Sequence, residues 1–181
     1  FAEEHKNFIP SLVEFNDRLN NIIQKTYNWK IDNHAHYVLT SSKNQIANAF
    51  ASVSPHVLST YYHSGAPLLE NFAESNWLLH TWTHELSHMY QLNSKSNFSS
   101  LLYKVLGTPP SLYNFMIHPN QLAPRHFTEG NAVLVESLFN SGGRLHSGEI
   151  RAEVFSLFKA NKVDTAWLLN NLYEFPFGAE D

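Results

Sequence analysis

The sequence predicts an α+β fold, with a small mixed or antiparallel sheet near residues 34–62, an N-terminal helix covering it, and a mainly helical remainder. Three observations carry that expectation. Apolar residues recur at three- and four-residue steps before residue 30 and again after residue 67. Between those stretches, β-branched and aromatic residues gather in short runs bounded by Ser, Asn, Pro and Gly. No linker, internal repeat or low-complexity tract divides the chain, and 181 residues with 43% hydrophobic and 14% aromatic content suffice for one domain, residues 1–181, with a real core.

Taken in order, Phe8, Leu12, Phe15, Leu19 and Ile22 step by four and three, which predicts an amphipathic helix beginning near Pro10, where proline suits a first turn. Residues 37–40 and 56–62 read as strands, and residues 45–53 as a third. Leu78, Trp82, Leu86 and Met89 form the stripe of a helix over residues 75–92. Residues 93–122 are loop-rich, with Pro109, Pro110 and Pro119, and hold a short helix near residues 99–106. Pro124 opens a further helix that stops at Asn140-Ser141-Gly142-Gly143. Two more are expected over residues 149–160 and 164–173, the second with Asp164 as its N-cap.

Composition narrows the partners. The formal charge is -4 and neither basic nor acidic residues form runs, so the electrostatic footprint of a nucleic-acid binder is missing. No apolar run approaches the roughly 18 residues a membrane span needs, and no basic-then-apolar leader opens the chain. The first residue is Phe1, so the polypeptide reads as processed or cut from a longer one. Zero cysteines leave His and carboxylate as ligands for a transition metal, and fit a secreted or periplasmic protein.

Residues 84–88 read His-Glu-Leu-Ser-His inside the helical stretch. Positions i and i+4 share a helix face one turn apart, so His84 and His88 can aim imidazole nitrogens at one cation, with Glu85 beside them. A hydrolytic zinc usually has three protein ligands and one open position. Glu129, on the helix opened by Pro124 and on one face with Val133 and Glu136, is the simplest third ligand. Glu136 lies two turns, about 10 Å, beyond it and is a candidate for orienting a ligand histidine. His80 lies one turn before His84 but about 12 Å from His88 along the axis, too far to share an ion, and reads as a capping or surface residue. Arg144, after the helix-ending glycines, reads as a residue serving the helix dipole.

Thr83-His84-Glu85-Leu86-Ser87-His88-Met89-Tyr90-Gln91, with Pro124-Arg125-His126-Phe127-Thr128-Glu129-Gly130-Asn131-Ala132 and then Glu136, resembles the gluzincin zinc metallopeptidases. Among them the chain looks most like the bacterial peptidase MA-like domains, with His126 standing where a Trp is usual. The resemblance implies a zincin-like domain that hydrolyses a peptide or protein substrate, with Zn2+ held by His84, His88 and Glu129. It makes Glu85 the general base, taking a proton from the water and delivering it to the leaving amine.

Such peptidases also commonly carry a Tyr or His that stabilises the oxyanion. Its usual helix follows a Pro-aromatic-Gly stretch, and here Phe175-Pro176-Phe177-Gly178 is followed by only three residues. Tyr61, Tyr62, His63, His146 and Tyr173 stand as substitutes. Asn48-Ala49-Phe50-Ala51 lacks the Glu with which aminopeptidases of this group hold a free amine, and an edge strand there suits main-chain pairing with an extended peptide. The alternative from another class is a catalytically inactive, zinc-bound peptidase-like module that binds a peptide or partner protein. Metal storage fits less well, because a preformed three-ligand site suits retention.

Overall fold

A computed structural model describes residues 6–7, 9–31, 35–40, 48–52, 58–62, 77–107 and 114–162, with main chain alone at Thr40, Asn48, residues 58–62, Asn114 and Phe115. The helix expected over residues 164–173 lies outside these, as do His63, Tyr173 and the stretch 175–178.

Helix α1 spans Ile9–Tyr27 and buries Leu12, Leu19 and Ile23. Ile22, expected in that stripe, is 42% exposed. Ile23 completes the four-residue step from Leu19, whereas Ile22 falls one position round the helix. Asn28 follows at φ 48°, a left-handed conformation that asparagine tolerates. Its N–H donates to the Lys25 carbonyl at 3.3 Å and that of Trp29 to Gln24 at 3.2 Å, a double cap that ends the helix.

Three strands follow, β1 (His36–Thr40), β2 (Asn48–Ser52) and β3 (Leu58–Tyr62), forming a mixed sheet in the order β1-β3-β2. The central strand β3 runs parallel to β1 and antiparallel to β2. Alternation sets the faces: Tyr37, Leu39, Ala49 and Ala51 join the core, while Val38 and Phe50 point outward.

Helix α2 (Trp77–Asn93) is the element the others are built around, and every residue from Trp82 to Gln91 is buried. Its predicted stripe of Leu78, Trp82, Leu86 and Met89 packs with Leu12, Leu19, Ile23 and Leu39 in one cluster. Each large apolar side chain so buried contributes about 1.5–3 kcal/mol. Tyr37 stacks on Trp82 with ring centroids 4.9 Å apart, and its hydroxyl bonds to Asn20 and Asn16 of α1. The N-terminal helix therefore reaches the sheet through Tyr37 but takes its main seat on α2.

The stretch read as loop-rich holds more helix than expected. α3 (Asn97–Leu106) is capped by Ser96, whose Oγ accepts the Ser99 N–H at 3.1 Å. α4 (Asn114–Ile117) and a 3-10 turn over Pro119–Leu122 are four residues each, too short to display a period. α5 (Arg125–Phe139) starts on the Pro124 carbonyl, which accepts from Phe127 and Thr128. A second 3-10 turn, Arg144–His146, leads into α6 (Gly148–Lys159), capped by Ser147. The chain is α+β, and among the described residues no helix is long and apolar enough to cross a membrane.

His118, just before the Pro119 turn, is 3% exposed; its ring bonds to the Leu92 backbone and its Nδ1 has no partner among the described residues. Burial, helped by the Lys95 charge, pushes its pKa down from 6.5 to about 4. Between those values the unfolded chain takes up a proton that the folded chain refuses, so stability falls as pH drops through that window. Replacing His118 by Gln is expected to narrow the gap between stabilities measured by urea denaturation at pH 7 and pH 4.5. A gap as wide as that of the parent protein would remove His118 from the account.

Candidate metal centre

α5 runs back along α2, so that Asn140 meets Thr83 at 2.9 Å and Asn131 meets Gln91 at 3.4 Å. His84 and His88 lie between these ties on α2, and Glu129 lies one half-turn before the Asn131 tie on α5. His84 Nε2 is 3.2 Å from Glu129 Oε2, His88 Nε2 is 3.1 Å from the same oxygen, and the two Nε2 atoms are 3.1 Å apart. His84 and His88 are buried and Glu129 is half-buried. Hydrogen bonds alone serve this triangle poorly: if each imidazole donates to the carboxylate, the two N–H groups crowd one another. A cation serves it well, because donors about 2.0–2.1 Å from a tetrahedral ion stand about 3.3 Å apart. The group can hold a metal ion.

The electrostatics follow the same contacts. Burial pushes the Glu129 carboxyl up, but hydrogen bonds from His84 and His88 outweigh it and hold the group well below the usual range. Burial pulls the His84 imidazole toward neutrality, yet Glu129 and Glu136 leave its pKa raised. Glu85, one residue along α2, is 5% exposed, and its Oε2 has no partner among the described residues. Burial raises its pKa, partly offset by His84 and His88.

Glu136 stands where the sequence placed it, with Oε2 3.3 Å from His84 Nδ1. Arg144 has partners that the dipole reading did not include: its side chain folds back to Glu136, with Nη2 3.2 Å from Oε2 and 2.8 Å from His84 Nδ1. The 3-10 turn turns the side chain inward, which no local pattern announced. His80 is half-buried and outside the ligand group. His146 donates Nε2 to the Ser137 carbonyl at 3.0 Å. Tyr61 and Tyr62 lie on β3, and their side chains are outside the described residues.

A further set of polar residues ties the ligand-bearing helices to α1. Tyr27 bonds to Ser87 Oγ at 2.7 Å and accepts from Asn131 Nδ2, so one hydroxyl joins α1, α2 and α5. Ser87 sits between the two histidines and Asn131 two residues past Glu129, which makes this contact part of what spaces the ligands. Their nearness to ligands in sequence was the only signal that could have found them.

Fold and site together define an α+β domain with a candidate His-His-Glu metal centre. No family model, no curated protein and no solved structure matches this chain.

Proposed function

We propose that this chain is a zinc-dependent peptidase of gluzincin type on a zincin-like domain. The observation that carries the reading is the meeting of His84, His88 and Glu129 donor atoms within 3.2 Å of one another, with Glu85 on the same turn of α2. Two imidazoles and a carboxylate, in a chain without cysteine, suit zinc better than a hard cation. A bound Zn2+ supplies an acidified water and a polarised substrate carbonyl. With the ion held by His84, His88 and Glu129, Glu85 would serve as the general base that moves a proton from water to the leaving amine, and Glu136 would hold the His84 ring through Nδ1.

Purified protein is expected to carry one zinc per chain and to cleave a mixture of unstructured peptides. A chelator should abolish cleavage, and added zinc should restore it. Protein that neither holds nor takes up zinc would end this reading. Stoichiometric zinc without cleavage would favour the inactive peptide-binding module instead.

A further inference from the structure

We infer that Arg144 is a positioning residue for the metal ligand His84 and acts through Glu136; the inference rests on the metal-binding reading above. A histidine that ligates through Nε2 must carry its proton on Nδ1 and needs an acceptor for it. Among the described residues two groups face His84 Nδ1: Arg144 Nη2 at 2.8 Å, which can donate to this nitrogen only while it carries no proton, and Glu136 Oε2 at 3.3 Å, which can accept once it does. A guanidinium has donors only. Glu136 is therefore the acceptor, and its orientation decides the ring's.

Arg144 holds both oxygens of that carboxylate. Its backbone N–H donates to Oε1 at 3.2 Å, while Nε and Nη2 donate to Oε2 at 3.4 and 3.2 Å. The Glu136 side chain is only 5% exposed, so water is a poor substitute for these donors. The chain is shaped to bring Arg144 there. A Cβ on Gly143 would overlap Ser137, so only glycine lets the turn lie against α5. Ser137 then pins it, its Oγ accepting the Leu145 N–H at 3.1 Å. Lysine, a point charge without the planar fork, cannot reproduce the hold on Glu136.

The test is cobalt binding, read by chelator competition and by the visible absorption of bound Co2+. Arg144→Ala is expected to weaken Co2+ binding by about 10–100-fold and to change the absorption bands. Added to Glu136→Gln, whose neutral amide needs no guanidinium, the same change should cost little more. Wild-type affinity and spectrum in Arg144→Ala would overturn the inference. So would an equal loss in both backgrounds, the mark of general destabilisation. If circular dichroism shows Arg144→Ala unfolded, Arg144→Lys replaces it, with a smaller loss and shifted bands expected and an unchanged spectrum overturning the role. Failure of the wild-type chain to bind Co2+ would instead strike the metal reading, and the inference would fall with it.

Discussion

Glu85→Gln is expected to lower peptide turnover by about two to four orders of magnitude, the usual contribution of a positioned general base. Zinc content should not change, because Glu85 is outside the ligand triangle. The substitution keeps the side chain's shape and removes its charge. Charge is costly here: the carboxylate is buried, one oxygen has no partner among the described residues, and Glu129 adds repulsion. Metal-free Glu85→Gln is therefore expected to melt at or above the wild-type temperature. Loss of turnover without loss of stability or zinc separates a proton-transfer role from a structural one. Turnover within a few-fold of the parent would show that another group moves the proton.

His88→Ala is expected to abolish stoichiometric zinc and, with it, the stabilisation that zinc confers. A ligand bound only by the folded state stabilises it by about 4 kcal/mol at a thousand times its Kd. The wild-type melting temperature should thus rise with added zinc, while that of His88→Ala stays flat. The reason is the donor count: without His88 Nε2 the triangle becomes a pair, His84 and Glu129. Glu136→Gln offers the contrast, since loss of an orienting partner costs about 10–100-fold in affinity rather than the site. Elemental analysis after dialysis reads both. One zinc per chain retained in His88→Ala would mean the ion sits elsewhere.

Much of the site was legible because its elements are local. The i, i+4 spacing of His84 and His88 is a helix property, and Leu78, Trp82, Leu86 and Met89 announced that helix through their period. Pro124 and the Gly142-Gly143 pair bracketed α5, which put Glu129, Val133 and Glu136 on one face; Val133 and Glu136 are buried there. Ile22 was misplaced by one position because a three-step and a four-step continue an apolar stripe almost equally well. The contacts of Arg144 with Glu136 and His84 were missed because a basic residue beyond a helix end has an ordinary explanation in the dipole.

The sequence by itself determined the longer helices α1, α2, α3, α5 and α6, the apolar stripe of α2, and which three side chains offer ligand atoms. These depend on residue type and on spacing within a few turns. Only the tertiary structure decided the order β1-β3-β2, the seat of α1 on α2, and the partners behind the ligands: Glu136 and Arg144 at His84, and Tyr27 between Ser87 and Asn131. Those contacts join residues 8 to 104 positions apart, and a hydrogen bond across such a separation depends on how helices pack, not on any local period.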